Sequence, residues 1–451
     1  MNVTFFQQLV DSISERGREL IGWGERGSSA LDIQTLCNDL LSGRGEASGV
    51  ALADEVFQIY AELDIADRQD FFRYLAESLN ANPDKVLAAA DAYRADPSPA
   101  RLLALHLAAE PQRQELLRRL NRASGGTANL VRMRSDLLKL LPDFPELKVV
   151  DDDFFHLFSS WFNRGFLVLR RIDWQTPAAL LEKIIKYEAV HEINDWPSLR
   201  RRLAPDRRCF GFFHPALVDE PLIFVEVALV KSIATQIQPL IDREQKELDP
   251  ARADTAVFYS ISNCQHGLKG VSFGNFLIKQ VVAELQQELP QLKHFVTLSP
   301  IPGFMRWLNN ERRTEHSSVL SDAQRTLLEQ LDAPEKCGRT KNDAGQHAAL
   351  QTELLSLAAY YFLQAKNPTG KPLDPVARFH LGNGARLERI NPEADLSAKG
   401  LRQSAGMMVN YAYVLADIER NHEAYANDNT VVTTSAVRKL LRSDAASATT
   451  K

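Results

Sequence analysis

The stretch Thr255-Ala-Val-Phe-Tyr-Ser-Ile-Ser262, together with the turn behind it, decides the fold of this chain. Its β-branched and aromatic residues are typical of a short strand. The turn covers residues 263–274 and contains Gly267, Gly270 and Gly274. Glycines let a backbone approach a phosphate closely, and a helix that starts behind them offers free N–H groups and a partial positive charge. The sequence therefore predicts an anion site, with a simple glycine turn between strand and helix as the alternative.

A helix and a second strand follow the turn. Apolar residues recur at helical spacing at Ile278, Val281, Val282, Leu285 and Leu289. Pro290 ends this helix, and a β-type run over residues 295–298 leads into Ser299. No Gly-Lys-Ser/Thr closes the turn and no regular Gly-x-Gly-x-x-Gly is present, so neither a P-loop nor a dinucleotide fingerprint is predicted. The unit is similar instead to the pyrophosphate turn of acetyltransferase-type acyl-CoA folds.

Longer sequence motifs around the turn closely resemble those of the malonyl-CoA decarboxylase family. In chain order they are Cys209-Phe-Gly-Phe-Phe-His-Pro215, Glu220-Pro-Leu-Ile-Phe-Val-Glu-Val-Ala-Leu-Val230, Tyr259-Ser-Ile-Ser262, Gly270-Val-Ser-Phe-Gly274, Phe276-Leu-Ile-Lys279, Leu298-Ser-Pro-Ile-Pro-Gly-Phe304, Asp374-Pro-Val-Ala-Arg-Phe-His-Leu381, Asn383-Gly384 and Met408-Val-Asn-Tyr-Ala-Tyr413. The resemblance spans residues 150–420, whereas the N-terminal third is similar to the family only in length and helical character. It implies an α+β protein in which an all-helical N-terminal domain, residues 1–145, serves as a scaffold or oligomerisation domain. An acetyltransferase-like (GNAT-type) mixed α/β catalytic domain that binds malonyl-CoA would occupy residues 146–451.

The resemblance also implies a reaction and its catalytic residues. Malonyl-CoA would lose its free carboxylate as carbon dioxide and become acetyl-CoA through an enolate. Because the thioester itself accepts the electrons, we expect neither a metal nor an organic cofactor. Ser299 and His380 would form the catalytic pair, with Ser299 orienting the malonyl group and His380 protonating C2, since histidine titrates near neutrality. Tyr413 and Ser260 would be hydrogen-bonding partners in the active site. Without the resemblance, a serine before proline indicates a turn and a lone histidine a structural role.

The same resemblance assigns the coenzyme A phosphates to the turn. The residues that would line it are Lys269, Gly270, Val271, Ser272, Phe273, Gly274 and Asn275. Ser272 stands where other family members carry an acidic residue in Gly-Val-Glu. If that acid orients the histidine, Glu226 or Glu388 would have to replace it. Glu226 lies in an otherwise apolar strand-type run, so we expect a buried partner and favour structural pairing over catalysis.

Five arginines precede that run: Arg200, Arg201, Arg202, Arg207 and Arg208. Charge runs are usually exposed, so a solvated loop is the favoured interpretation. The alternative is an arginine patch that binds the phosphates of coenzyme A.

The N-terminal third is predicted to be helical. Residues 51–63, 68–79 and 85–93 carry helical apolar spacing, and Pro142-Asp-Phe-Pro145 is the expected domain boundary. Strands are predicted at residues 165–170, 209–213 and 222–230.

Composition limits the function classes. The 451 residues are 45% hydrophobic and 25% charged, and the net charge of −5 argues against a general nucleic-acid binder. The longest apolar run is too short for a membrane span. Neither a secretory signal nor a terminal Ser-Lys-Leu is found, so we expect a cytoplasmic protein without nucleic-acid or membrane partners. By family resemblance it would be a homotetramer.

The four cysteines have no Cys-x-x-Cys spacing, so no zinc site or disulfide framework is predicted. Cys264 lies in the turn, where a small buried thiol is favoured over a nucleophile. Two other functions stay open at this point: an acyl-CoA-dependent N-acyltransferase on the same fold, and a non-enzymatic acyl-CoA sensor.

Overall fold

The computed structural model describes residues 30–42, 45–271, 273, 277–315, 317–332 and 341–441. The chain forms two compact units. The first comprises the described parts of Met1–Val168 with Phe212–Leu222 and Cys264–Phe273, and the second Leu169–Gly211, Ile223–Asn263 and Gly274–Lys451. Within the described ranges, no helix has the length and apolar character that crossing a membrane requires.

The first unit is built mainly of helices, as its apolar spacing predicts. They are α1 Ala30–Leu41, α2 Glu46–Glu62, α3 Ile65–Glu77, α4 Pro83–Ala95, α5 Pro99–Ala109, α6 Gln112–Leu120, α7 Gly126–Leu140 and α8 Lys148–Trp161, with 3-10 turns at Pro145–Leu147 and Arg164–Phe166. Their starts follow from local chemistry: Asp64 and Asn82 accept hydrogen bonds from the backbone N–H groups of Asp67 and Lys85, and Pro83 occupies the first helical position. A buried aromatic cluster packs their inner faces, with the Tyr60 and Phe71 rings edge to face at 5.6 Å.

Helices α4 and α5 pack against each other but bury no residue in this chain. Four leucines of this hairpin are more than half exposed: Leu87, Leu102, Leu103 and Leu107. Single exposed leucines are ordinary, whereas several on one helical hairpin mark a surface suited to association.

The predicted boundary at residues 142–145 falls within this helical run. The 3-10 turn Pro145–Leu147 leads directly into α8, and the first compact unit continues to Val168. The division into functional domains at residues 145 and 146 stays a prediction.

The second unit is organised around a mixed sheet. Within the described residues this sheet has eight strands: β1 Val168–Ile172, β2 Arg207–Phe213, β3 Pro221–Val230, β4 Thr255–Asn263, β5 His294–Thr297, β6 Ser299–Pro300, β7 Arg386–Asn391 and β8 Met408–Ala412. The order across the sheet is β1-β2-β3-β4-β5-β8-β6, and β7 also pairs with β8. The α+β class is therefore confirmed, as are the strands predicted at residues 209–213 and 222–230.

The strand predicted at residues 165–170 begins three residues later than expected. Asn163 Oδ1 accepts a hydrogen bond from the Gly165 N–H at 3.0 Å, and residues 164–166 form a 3-10 turn. This local side-chain bond competes with extended structure.

Helices surround the sheet along the rest of the chain. They are α9 Ala178–Tyr187, α10 Trp196–Arg202, α11 Gln238–Ile241, α12 Leu277–Glu288, α13 Phe304–Arg313, α14 Asp322–Leu328, α15 Lys341–Leu363, α16 Pro375–Gly382, α17 Ala398–Ser404, α18 Ile418–Asp428 and α19 Ser435–Arg438, with 3-10 turns at Pro250–Arg252, His266–Leu268 and Glu329–Asp332. The predicted helix behind the turn is α12, which buries Leu277, Ile278, Val281, Val282 and Leu285.

Strands β4 and β5 separate part of the way along their length. They pair in parallel from Thr255–His294 to Phe258–Thr297, and the Leu298 N–H then donates to the Phe258 carbonyl. Beyond that point Ser260 pairs with β3 and Ser299 pairs with β8. The sheet therefore opens between the chain segments that carry these two serines.

Candidate active site

Three of the predicted catalytic residues meet in one buried hydrogen-bonded chain. Ser299 Oγ lies 3.2 Å from His380 Nε2, and His380 Nδ1 lies 2.8 Å from the Tyr413 hydroxyl. All three side chains are buried. The structure thus brings together residues that are 81 and 33 positions apart in sequence.

Each of the three side chains is held by a separate element. Ser299 begins β6 at the point where the sheet opens, and Tyr413 directly follows β8. His380 lies in the last turn of α16. Asp374 caps this short helix by accepting the Ala377 N–H at 2.8 Å, and Pro375 occupies its first position. Asp374 and Pro375, which belong to one of the motifs that resemble the family, therefore determine the position of the His380 imidazole.

The environment of His380 keeps its ring neutral. Complete burial lowers the pKa of His380 to about 3, because a charged imidazolium would lose its hydration. The ring of Tyr411 stacks on it, with centroids 4.6 Å apart and planes inclined by 25°. The expectation that His380 titrates near neutrality is wrong for the free protein, since sequence alone does not show burial.

Thr297 is a further member of this hydrogen-bonded chain, and it was not predicted from the sequence. Ser299 Oγ donates to Thr297 Oγ1 at 2.9 Å, and the Tyr411 N–H donates to the same oxygen at 3.1 Å. Because the serine proton is directed to Thr297, Ser299 Oγ accepts from His380 Nε2–H, and His380 Nδ1 accepts from the Tyr413 hydroxyl. Thr297 stands two residues before Ser299, so the two-residue period of a strand was the available signal.

Ser260 lies on the other side of the opening, in a different hydrogen-bond network. Its hydroxyl donates to Glu188, with oxygen–oxygen distances of 2.9 and 2.7 Å. The buried Glu188 carboxylate also accepts from the Ser262 hydroxyl and from the N–H groups of Val190 and His191. Since a hydroxyl has a single proton, Ser260 is left as an acceptor towards any further group. Glu188 is 72 residues from Ser260, so no local motif could have revealed it.

The two carboxylates considered as orienting groups for the histidine are engaged elsewhere. Glu226 is fully buried and accepts from Arg202 at 3.2 Å, as the expected structural pairing requires. Burial raises the pKa of Glu226 to about 7, against the lowering effect of Arg202. Glu388 pairs with Arg386 at 2.7 Å. The ring nitrogens of His380 instead bond to two hydroxyl groups, so the suggestion that Glu226 or Glu388 orients the ring is wrong.

Both interpretations of the arginine run are also wrong. Of its five members only Arg200 is exposed, and the other four are buried in ion pairs. The pairs are Arg201 and Arg207 with Asp206, Arg202 with Glu226, and Arg208 with Glu288. The run is therefore neither a solvated loop nor a free phosphate patch, because each buried guanidinium has a carboxylate partner.

The predicted phosphate turn is described in part. Ser272, Gly274 and Asn275 lie outside the described residues, so the departure at position 272 stays a prediction. Val271 and Phe273 are buried, and Gly270 has a φ of +85°, which favours glycine. Cys264, at the start of the turn, is buried as predicted. Among the described residues, no group of three or more His, Cys, Asp or Glu side chains is arranged to hold a metal ion.

Two family models match the chain. The description "Malonyl-CoA decarboxylase C-terminal domain" matches residues 165–451, and "Malonyl-CoA decarboxylase N-terminal domain" matches residues 79–162. The mitochondrial malonyl-CoA decarboxylase of Anser anser anser is 41% identical over 338 residues, which cover 70% of this chain and 66% of the goose protein. The chain thus spans just under two thirds of that relative's length.

Solved structures extend the similarity. The crystal structure of malonyl-CoA decarboxylase from Rhodopseudomonas palustris has a TM-score of 0.87 and 56% sequence identity, covering 91% of this chain and 99% of that one. For the enzyme from Agrobacterium vitis the TM-score is 0.86 and the identity 55%, covering 91% and 100%. The match over more than half of the sequence leads to one conclusion: this chain belongs to the malonyl-CoA decarboxylase family.

Proposed function

We propose that the protein converts malonyl-CoA to acetyl-CoA and carbon dioxide without an added cofactor. The observation that carries this proposal is the buried chain of Tyr413, His380 and Ser299 at the point where β4 and β5 separate. Decarboxylation needs no acceptor molecule, only a group that holds the enolate oxygen and a proton for C2. A relay of hydroxyl and imidazole groups supplies the proton.

In the proposed step the bond between C2 and the carboxylate breaks, and its electron pair moves into the thioester carbonyl. Carbon dioxide leaves and an enolate remains. The Ser299 hydroxyl turns from Thr297 to the substrate and gives its proton to C2. His380 Nε2–H replaces that proton, Tyr413 protonates Nδ1, and water returns one proton to Tyr413. Each turnover thus consumes one proton, as the overall reaction requires.

This assignment differs from the expected roles in two ways: Ser299 rather than His380 gives the proton to C2, and His380 passes protons as a neutral ring rather than as an imidazolium. A thioester enolate is a stronger base than the alkoxide, imidazolate or phenolate that a neutral donor leaves behind, so an imidazolium is not needed to protonate C2. A neutral ring also agrees with its burial. Ser260, whose proton is committed to Glu188, would accept a hydrogen bond from an amide N–H of the coenzyme A arm.

Malonyl-CoA alone should release carbon dioxide. An N-acyltransferase would need an amine acceptor, and an acyl-CoA sensor would leave the thioester unchanged. His380→Asn should lower kcat by about 10²–10⁴-fold, the usual worth of general acid–base catalysis, while coenzyme A binds nearly as before. The measurement is carbon dioxide release by coupled assay, with binding by calorimetry.

His294→Asn is the matched control, because His294 is exposed at the start of β5. Its kcat should equal that of the parent. Parental turnover in His380→Asn would remove the histidine from the mechanism, and absence of carbon dioxide release by the parent would reject the proposed function.

The pH dependence of kcat/KM should show that the His380 ring is neutral. Because the pKa of His380 lies near 3 rather than 6.5, the ring loses its proton far below neutrality and kcat/KM should not fall as pH rises through 6.5. We expect a flat profile between about pH 5 and 8. Malonyl-pantetheine, which lacks titrating phosphates, is the appropriate substrate. A tenfold loss per pH unit beginning near 6.5 would show that an imidazolium is required.

Assembly and location are further proposals. The exposed leucines of the α4–α5 hairpin support association into a homotetramer. A cytoplasmic location is proposed from the sequence alone, while the curated relatives are mitochondrial by name.

Replacing Leu102 and Leu107 together by Gln should reduce the particle mass in light scattering, because the proposed contact is apolar. Ala104→Gln, at another exposed position of the same helix, should leave the mass unchanged. A parent that runs as a monomer, or a double variant with the parental mass, would reject this surface as the contact.

A further inference from the structure

One buried arginine of the helical part is bonded to the predicted phosphate turn. Arg134 lies on α7 and is 2% exposed. Its Nε donates to Asp151 Oδ1 at 2.8 Å, and its Nη1 donates to the carbonyl oxygens of Gly267 at 2.8 Å and Lys269 at 3.1 Å. All of these residues belong to the first compact unit. The guanidinium therefore joins a helix carboxylate to two carbonyls of the turn.

These bonds fix the direction of the turn's peptide groups. In a trans peptide the C=O and the following N–H point in opposite directions. With the Lys269 carbonyl directed at Arg134, the Gly270 N–H is directed away from it. Gly270 adopts a φ of +85°, which few other residues tolerate. The arginine thus orients the kind of backbone donor that a phosphate binds.

Further contacts hold the turn against α7. The Gly267 backbone approaches α7 so closely that a Cβ at this position would lie 1.8 Å from the Val131 carbonyl oxygen. Ser135 Oγ lies 3.2 Å from His266 Nδ1, one turn along the same helix. A glycine is required at 267 for a packing reason, and Arg134 bonds to the turn on the same side. The turn is therefore built on α7.

The charge of Arg134 is compensated before any ligand binds. Asp151 is buried and pairs with the guanidinium, and Lys148 contacts the other carboxylate oxygen at 3.1 Å. Such a paired guanidinium acts through its directed N–H groups rather than as a free cation. Its contribution to ligand binding would be the shape of the turn.

We propose that Arg134, held by Asp151, is a positioning residue that sets the affinity for the phosphate-bearing part of coenzyme A. This inference rests on the proposed function, since it takes Lys269 and Gly270, which the structure describes, as part of the phosphate site. It gives the helical N-terminal part a role in substrate binding besides the predicted scaffold or assembly role. Arg134 does not contact the reacting atoms in this proposal.

The test compares ligands with and without phosphates. Arg134→Gln should raise the Kd of coenzyme A about tenfold or more, the usual effect of losing charge-assisted hydrogen bonds. The KM of malonyl-CoA should rise by a similar factor with kcat nearly unchanged. The KM of malonyl-pantetheine, which has the same thioester arm without the nucleotide phosphates, should stay at the parental value.

Arg113→Gln is the matched control. Arg113 is also buried in the helical part and pairs with Asp153 on the same helix as Asp151, and its hydrogen bonds go to Asp153 and the Ala76 carbonyl. Arg113→Gln should lose about as much stability as Arg134→Gln. The ratio of its KM values for malonyl-CoA and malonyl-pantetheine should equal that of the parent. Arg134→Lys, which keeps the charge but not the planar fork, should show the same selective loss to a smaller degree and serves if Arg134→Gln does not fold.

The outcomes separate this inference from the proposed function. Equal KM changes for both substrates, or a parental Kd for coenzyme A in folded Arg134 variants, would overturn the positioning role while decarboxylation persists. A parent that binds coenzyme A but releases no carbon dioxide would reject the proposed function and leave the calorimetric test of Arg134 intact.

Discussion

Burial of the His380 imidazole between two hydroxyl groups is the constraint on which the site depends. A charged ring would be costly there, so the protein holds it neutral and satisfies both nitrogens with Ser299 and Tyr413. A neutral imidazole both donates and accepts a hydrogen bond, which is what a proton relay needs.

The fold supplies this environment by opening its own sheet. β4 and β5 pair over four residues. Beyond them β4 remains paired with β3 only and the segment of Ser299 pairs with β8, so Ser260 and Ser299 lie on separating segments. The proton chain forms on the side of β6 and β8. The Glu188 network forms on the side of β4, where the hydroxyl groups of Ser260 and Ser262 both donate to the Glu188 carboxylate. The two sides differ in chemistry: one can give a proton, and the other can only accept a hydrogen bond.

Short sequence patterns predicted the elements that are determined by neighbouring residues. The two strands and the helix predicted around residues 255–298 are present, because alternation and a 3.6-residue stripe act within a few positions. Family resemblance added Ser299, His380 and Tyr413, which the structure places in contact. The start of β1 was misjudged because one asparagine side chain favours a turn.

The contacts that were not predicted from the sequence depend on partners that are distant along the chain. The arginine run was predicted to be exposed because two of its carboxylate partners are distant in sequence, with Glu226 and Glu288 lying 24 and 80 residues from their arginines. Glu188 and Arg134 were missed for the same reason, because each acts on a segment more than 70 residues away. The neutral state of His380 also depends on burial, which no short motif encodes.

The ionisation state of His380 in the free protein tests this account most directly. Nitrogen NMR of protein labelled in histidine, with His380→Asn used to assign the signal, reports protonation at each ring nitrogen. We predict a neutral ring with the proton on Nε2 at every pH between about 5 and 8, because burial places its pKa near 3. An imidazolium signal that disappears with a midpoint near 6.5 would contradict the neutral proton chain.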